Sequence, residues 1–242
     1  MAILVTRPYP DSESTAAALR ARGRDALLAP VLRFETVPLP AGFDADVAAV
    51  LVTSANAPRA VESQLKGHAL LKLPLFAVGE HSAAAARRAG FAKVLSADGD
   101  GAALRELVVA SLRTRRAKAG PLLHLAGEIT ARDLTAELGA RGIEVISRIV
   151  YRMVAVDRLP DEACAAFAGG RIEAVLHYSA RSAQAFLHAA RADGIEISAL
   201  SIAQCCISTA VAQVLREAGA ARVMVASSPN ENALLAALDR SI

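Results

Sequence analysis

The sequence repeats itself, and this repetition restricts the possible folds more than any other feature. Three segments of the first half return in the same order in the second half: TAAALRARG as LTAELGARG, LVTSANAPRAV as LHYSARSAQAF, and AVGEHSAAAARRAGFAKVLSA as CISTAVAQVLREAGAARVMVA. The offset grows slowly, from 119 residues between Gly23 and Gly142 to 129 residues between Gly90 and Gly219, as small loop insertions would cause. We therefore predict an internal duplication.

Short apolar runs alternate with Ala-rich helical segments in both copies. The predicted strands cover residues 3–5, 27–37, 48–52, 75–78, 94–97, 122–125, 145–156, 174–177, 202–207 and 222–226. This alternation is typical of a parallel sheet covered by helices. The expected fold class is therefore α/β, with two related parallel-sheet lobes around a cleft.

Two predicted strands, 27–37 and 145–156, exceed the usual strand length of about 5 or 6 residues. They occupy equivalent places in the two copies. The simplest explanation is that each strand leaves one lobe and continues into the other, where the two pair as a two-stranded hinge. The expected lobes are then residues 1–35 with 156–242, and residues 38–148, joined by 30–37 and 149–156.

The composition favours a small anionic ligand over nucleic acid. Aromatic residues make up only 4% of the chain and tryptophan is absent, which argues against the stacking platforms that bind single-stranded nucleic acids. The net charge is only +3. The densest positive run is expected to be a solvated helix end, with a nucleic-acid or anionic-membrane patch as the alternative: Arg113, Arg115, Arg116 and Lys118.

The cysteines and the apolar runs bear on where the protein works. Cys164, Cys205 and Cys206 form no CxxC pair and no zinc spacing, so we expect free thiols in a reducing compartment. No apolar stretch reaches the roughly 20 residues of a spanning helix, and the first residues lack a signal-peptide pattern. We expect a cytoplasmic protein without membrane contact.

The candidate site lies in the loops that follow the strands, because ligands of open parallel sheets bind beyond the carboxyl ends. These loops combine small residues, hydroxyls and helix starts, whose backbone N–H groups bind anions. Each hydroxyl is equally well explained as an ordinary N-cap, so the prediction of a ligand with several carboxylates depends on the set. Its members are Arg7, Ser54, Asn56, Gly79, Gly127, Tyr178, Ser179, Arg181, Ser208 and Thr209.

Motifs for cofactors and metals are missing from the sequence. There is no GxGxxG, GxxxxGK[ST], HExxH or GxSxG, and no two histidines stand four residues apart. We therefore expect no cofactor and no metal, and interpret His124 and His177 as core or strand-end residues. Tyr151 lies on the second long strand, either as a structural residue or as a phenol at the floor of the cleft that can donate a proton.

Across nearly the whole chain, seven segments resemble the uroporphyrinogen-III synthase family: LVTRP, VLVTSANAPRAV, AVGEHSAAAARRAG, LLHLAGE, IVYRMV, VLHYSARSAQAFL and SPNENALLAAL. The resemblance implies two discontinuous flavodoxin-like lobes joined by a two-stranded β-ladder. It also implies a cofactor-free cyclisation in tetrapyrrole biosynthesis. Linear hydroxymethylbilane, an octacarboxylate, loses its terminal hydroxyl as water and closes through a spiro intermediate to uroporphyrinogen III, with ring D inverted.

The resemblance assigns the family's tyrosine, which assists departure of the hydroxyl, to Tyr151. It assigns binding loops to Ser54, Asn56, Gly79, Ser179, Ser208 and their neighbours, although Ser208 stands where the first copy has Gly79. A monomer is expected, and a transient contact with hydroxymethylbilane synthase stays open. The alternatives are a non-catalytic two-lobe binding or sensor module and a nucleotide-dependent transferase, which the absent phosphate motifs disfavour.

Overall fold

The computed structural model describes residues 1–44, 46–113, 120–130 and 132–241. The predicted positive run, apart from the backbone of Arg113, lies outside these residues. The strands in chain order are β1 (Ala2–Val5), β2 (Asp25–Leu28), β3 (Leu32–Thr36), β4 (Ala49–Val52), β5 (Pro74–Ala77), β6 (Lys93–Ser96), β7 (Leu122–Gly127), β8 (Val145–Ala155), β9 (Ile172–His177), β10 (Ala203–Cys206) and β11 (Arg222–Val225).

Helices follow most of the strands, as the alternating pattern predicts. In chain order they are α1 (Asp11–Arg20), α2 (Asn56–Val61), α3 (Glu80–Arg88), α4 (Gly101–Arg113), α5 (Leu134–Gly139), α6 (Asp161–Ala168), α7 (Ala180–Ala192), α8 (Glu196–Ser201), α9 (Thr209–Glu217) and α10 (Glu231–Asp239), with a 3₁₀ turn at Ala69–Lys72. The fold is thus α/β. No helix of the described ranges is long and apolar enough to span a membrane.

The chain divides into two compact units. The first unit comprises Met1–Phe34 and Val154–Ile242, and the second comprises Glu35–Met153. The first unit contains a sheet with the order β11-β10-β9-β1-β2, in which every neighbouring pair is parallel. The other sheet has the order β3-β8-β7-β4-β5-β6, and its strands from β8 to β6 are also parallel.

Each sheet buries its apolar strands under helices. In the first unit, Ile3 and Leu176 of neighbouring strands pack with Leu234 of α10 and are fully buried. In the second unit, Leu51 and Phe76 pack with Val108 of α4. Because helices cover both faces of a parallel sheet, its strands are short runs of apolar residues.

The predicted strand 27–37 is wrong, because two separate strands, β2 and β3, occupy this region. Ala29 and Val31 still donate their N–H groups to Val5 and Thr6, whereas Pro30 between them has no N–H to donate. The other long strand is confirmed, since β8 runs without interruption for 11 residues. Helices α6 and α8 were not predicted.

Candidate functional site

A cavity of ≈ 250 Å³ opens at the carboxyl ends of the parallel strands of the second unit. Three of the predicted site residues line it: Ser54 after β4, Gly127 at the end of β7, and Tyr151 on β8. The complete lining is Thr53, Ser54, Val78, Gly101, Gly127, Ile129, Thr130, Arg132, Leu134 and Tyr151. The structure therefore brings a phenol and several hydroxyls together at the edge where the sequence predicted a site.

Tyr151 reaches its position because Gly127 has no side chain. A Cβ on Gly127 would lie 2.6 Å from Cζ and 2.8 Å from the phenolic oxygen of Tyr151, so no other residue fits without displacing the ring. The two residues are partners in the pairing of β7 and β8, just after an irregularity in the register. Only 8% of Tyr151 is exposed. The phenol ring is therefore buried, and its packing against Gly127 fixes its position.

Arg132 lines the same cavity and was not predicted. Its Nε donates a hydrogen bond of 2.8 Å to Glu137, and the same carboxylate accepts a 3.1 Å bond from Arg105. The hydrogen bond and the charge of Arg132 hold the pKa of Glu137 below its usual value. The Arg132 side chain also runs close over Gly101, where a Cβ would lie 2.7 Å from its Cδ.

The sequence Thr130-x-x-Asp133 matches a capping-box pattern, which predicts a helix that starts at Thr130 and therefore places Arg132 inside that helix rather than in a loop. In the structure α5 begins only at Leu134, and Asp133 is its N-cap, accepting a 3.0 Å hydrogen bond from the Ala136 N–H. Thr130 and Arg132 are therefore loop residues that can line the cavity. The signal that could have located them is Asp133, which is itself a preferred N-cap residue.

Asn56 and Gly79 belong to neighbouring helix starts and do not line this cavity. Asn56 opens α2, donates its N–H to the Ser54 hydroxyl oxygen at 3.2 Å, and accepts a 3.2 Å bond from Arg59. Gly79 is the N-cap of α3. Both residues occupy the carboxyl edge of the second unit, at places where backbone N–H groups of a helix start are grouped.

In the first unit, Arg7 and Tyr178 belong to one hydrogen-bonded cluster. Arg7 donates to Asp11 at 3.1 Å and to Glu231 at 3.3 Å, and its guanidinium carbon lies 4.2 Å from the centre of the Tyr178 ring. The Tyr178 hydroxyl and the buried Thr15 hydroxyl both donate to Glu231. Burial raises the pKa of Tyr178. The predicted cation therefore has two carboxylate partners within the unit.

The remaining predicted residues are at the starts of two helices of the first unit. Ser179 caps α7 in a reciprocal capping box with Ser182, and Arg181 is the second residue of that helix. Ser208 caps α9 through a 3.5 Å bond from the Val211 N–H, and Thr209 is the exposed first residue. Both serines therefore make the N-cap bonds that were the alternative explanation for them.

A second cavity of ≈ 290 Å³ shares Gly127, Thr130 and Arg132 with the first and is also lined by His124. His124 is 3% exposed, and its Nδ1 lies 3.3 Å from the Ser147 hydroxyl. Its Nε2 has no hydrogen-bond partner among the described residues. Burial lowers the pKa of His124, while the charge of Asp133 acts in the opposite direction.

His177 is a buried strand-end residue, as predicted. Its Nε2 lies 2.8 Å from the Gln204 side-chain oxygen, and burial lowers its pKa to about 4.

No group of three or more His, Cys, Asp or Glu side chains among the described residues could hold a metal ion.

The fold places the chain among α/β proteins that have two sheets of parallel strands, here with a buried tyrosine at the carboxyl edge of one sheet. Two solved structures share this fold over nearly their full length. One is described as uroporphyrinogen-III synthetase from Helicobacter pylori, with a TM-score of 0.67, 19% identity, and coverage of 99% of this chain and 98% of that chain. The other is a mutant uroporphyrinogen III synthase from the extremely thermophilic bacterium Thermus thermophilus, with a TM-score of 0.56, 19% identity, and coverage of 100% and 98%.

At these identities the structural likeness shows the fold alone, and no curated protein matches the chain. A sequence-family model described as Uroporphyrinogen-III synthase HemD matches residues 13–236. The chain therefore belongs to the uroporphyrinogen-III synthase family. The resemblance found in the sequence is confirmed, and with it the assignment to an enzyme of tetrapyrrole biosynthesis.

Proposed function

We propose that Tyr151 is the proton donor in the cyclisation of hydroxymethylbilane to uroporphyrinogen III. The phenol proton passes to the terminal hydroxyl of the substrate as its C–O bond breaks, which releases water and leaves an azafulvenium cation beside the Tyr151 phenolate. Attack by the substituted carbon of ring D forms the spiro intermediate. Fragmentation and reclosure of this intermediate then invert ring D. After ring closure the substrate returns a proton to the phenolate, which restores the phenol.

The position of Tyr151 is the observation that supports this role. The residue lines the ≈ 250 Å³ cavity at the carboxyl edge, and its ring is packed against the Cα of Gly127. A proton donor contributes most when its position is fixed relative to the reacting group. The pyrroles are themselves reactive, so the protein has mainly to hold the chain in the geometry that closes with inversion.

The eight carboxylates of the substrate require many donors, and the loops at the carboxyl ends of both sheets supply them in this proposal. They are Arg7, Ser54, Asn56, Gly79, Gly127, Tyr178, Ser179, Arg181, Ser208 and Thr209. The location of six of these residues at helix starts supports the proposal, because N–H groups there bind anions: Asn56, Gly79, Ser179, Arg181, Ser208 and Thr209. We further propose that the protein acts as a monomer in the cytoplasm, without a nucleic-acid partner.

We also propose that the two units are duplicated flavodoxin-like lobes joined by a ladder of β3 and β8. The first sheet has the order 2-1-3-4-5 of that fold when its own strands are counted along the chain. The strands β8-β7-β4-β5-β6 of the other sheet have the same order when counting starts at β7 and continues from β8 to β4. Hydrogen bonds from Val37 N–H to Val150 and from Val156 N–H to Val31 support the ladder.

The decisive experiment supplies freshly prepared hydroxymethylbilane and identifies the uroporphyrin isomer after oxidation. Isomer III supports the synthase, whereas isomer I alone, the spontaneous product, indicates the non-catalytic binding module. Tyr151→Phe is expected to slow formation of isomer III by about 10²-fold, as loss of a general acid does. The matched control is Tyr9→Phe, at a tyrosine that is 55% exposed. An unchanged rate in Tyr151→Phe removes this residue from the mechanism.

A further inference from the structure

Among the described residues that line the Tyr151 cavity, Arg132 alone carries a charge at neutral pH. The other lining groups are hydroxyls, glycines and aliphatic side chains. Two carboxylates that act on Arg132 do not line the cavity and are already engaged: Glu137 binds two arginines, and Asp100 accepts hydrogen bonds from Ala102 N–H and Ala103 N–H. The lining of this cavity therefore carries a positive charge, while the carboxylates of Glu128 and Asp133 line the adjoining cavity.

The hydrogen bonds of Arg132 leave part of its guanidinium available. Its Nε donates to Glu137, whereas neither terminal amino group has an acceptor among the described residues. The side chain is 42% exposed, so a ligand can reach it. A guanidinium with two free amino groups is suited to a carboxylate, which accepts two parallel hydrogen bonds from it.

Gly101 keeps this side chain in place at the cavity. A Cβ at position 101 would lie 2.7 Å from Cδ and 3.4 Å from Nε of Arg132, which is too close for the present conformation. The Ser54 hydroxyl oxygen accepts the Asn56 N–H at 3.2 Å, and its own proton has no acceptor among the described residues. Gly101, Arg132 and Ser54 thus line the same cavity.

The volume of the cavity limits what it can hold. At ≈ 250 Å³ it lies below the range of about 300–1,000 Å³ in which pockets enclose drug-sized ligands. A whole tetrapyrrole is too large for this volume, so in this inference only one pyrrole ring with its side arms enters the cavity. A side arm that enters here brings its carboxylate to the guanidinium of Arg132.

We propose that Arg132 is a specificity-determining residue that binds one carboxylate side arm of the tetrapyrrole in the Tyr151 cavity, with Gly101 as the position that admits it. This inference rests on the proposed function. Arg132 holds a single ring beside the phenol, and it takes no part in proton transfer. Its loss should therefore affect binding of the substrate and leave the chemical step unchanged.

The test compares Arg132→Gln with Arg105→Gln, because both variants remove one of the two arginines from Glu137 but only Arg132 lines the cavity. We expect Arg132→Gln to raise KM for hydroxymethylbilane by about tenfold or more, as loss of a charge-assisted hydrogen bond does, with kcat retained. Arg105→Gln should leave KM unchanged. Equal increases in KM in both variants, or none in Arg132→Gln, would overturn the proposal.

A second measurement does not need turnover. Anaerobic calorimetric titration of uroporphyrinogen III into the wild-type protein should detect binding, and Arg132→Gln and Gly101→Ala should both weaken it. Wild-type binding that neither variant changes overturns the role of Arg132 while the synthase stands. Formation of isomer I alone by the wild type overturns the synthase, whatever the titration shows. Substrate analogues that lack one side-arm carboxylate each then identify the arm, since one of them should be insensitive to Arg132→Gln.

Discussion

In the proposed duplication, the carboxyl edges of the two sheets have corresponding strands but different side chains. In the first unit β1 lies beside β9, and in the second β7 lies beside β4. Tyr178 follows β9, and its hydroxyl is bonded to Glu231. Thr53 stands at the corresponding place after β4 and lines an open cavity. The same backbone arrangement thus supports a self-satisfied polar cluster in one unit and a cavity in the other.

The difference follows from the size and charge of the residues at equivalent helix starts. Glu231 begins α10 and accepts hydrogen bonds from three side chains of its own unit. Gly101 begins α4 and leaves room for the Arg132 side chain. Arg7 of the first unit therefore has two carboxylate partners within its own edge, whereas the terminal amino groups of Arg132 in the second unit have no acceptor among the described residues. In the proposed duplication both units keep the same scaffold, and substitution of a few loop residues makes the side chains of the two edges different.

The largest effect is expected from Gly127→Ala. This variant tests whether activity at the carboxyl edge of the second unit depends on the position of Tyr151. The new Cβ would lie 2.6 Å from Cζ of Tyr151 and must displace the ring. Because misplacement of a catalytic group by about 1 Å can cost about 10²-fold in rate, we expect a loss of that size in isomer III formation. Gly139→Ala is the control, since a Cβ there meets nothing within 4 Å. Full activity of Gly127→Ala, with an unchanged melting temperature, would contradict this account of the site.

Sequence reasoning located this edge because strand–helix alternation is a property of the whole chain. Parallel strands place their following loops at one edge, so the sequence groups Ser54 and Gly127 there, whereas it places Tyr151 only on the second long strand. Arg132 could not be found in this way. The start of α5 could be capped by either Thr130 or Asp133, since both are preferred N-cap residues. Which of them caps the helix depends on tertiary contacts of the loop.

The division of residues 27–37 into two strands was missed for a related reason. The apolar run continues across Pro30, and hydropathy does not show that the backbone turns there. Helix α6, with the sequence DEACAAFA, has a small residue at most of its buried positions, so its period is weak. Local patterns therefore predict which elements exist in long periodic segments, but not where side-chain volume and proline redirect the chain.

The next effect concerns acid stability of the first unit, where His177 stands at the place that apolar Val52 takes in the second unit. Burial lowers the pKa of His177 to about 4 from 6.5. The unfolded chain therefore binds a proton below pH 6.5 that the folded chain does not, and stability is lost as pH falls from 6.5 toward 4. We expect a loss of about 2 kcal/mol between pH 6.5 and 5 from this residue.

The measurement is the free energy of unfolding in urea at both pH values. His177→Gln keeps a group that can bond Gln204 but cannot be protonated, so its pH dependence should be shallower than that of the wild type. His188→Gln, at an exposed histidine, serves as the matched control. Parallel pH profiles for wild type and His177→Gln would show that His177 is not the origin of the acid sensitivity.

A smaller effect is expected from Glu231→Ala, which opens the polar cluster of the first unit. The change removes the acceptor of the Tyr178 hydroxyl and one carboxylate partner of Arg7, and it leaves the buried Thr15 hydroxyl without this bond. Because Glu231 is 34% exposed, we expect a loss of only about 1 kcal/mol in the free energy of unfolding. Glu13→Ala on exposed α1 surface is the control. Equal stabilities of the two variants would mean that the cluster contributes nothing to folding.

The smallest effect is expected where the two units differ by one cap, Ser208 of the first unit and Gly79 of the second. Ser208→Gly gives α9 the cap that α3 already has, and the bond it removes is long, at 3.5 Å. Glycine is tolerated at N-caps, so the free energy of unfolding should fall by only about 0.3 kcal/mol. Ser179→Ala, which breaks a reciprocal capping box, should cost about 1 kcal/mol. A rise in KM for hydroxymethylbilane in Ser208→Gly, at this small cost in stability, would mean that the hydroxyl binds substrate, whereas an unchanged KM would leave it a cap alone.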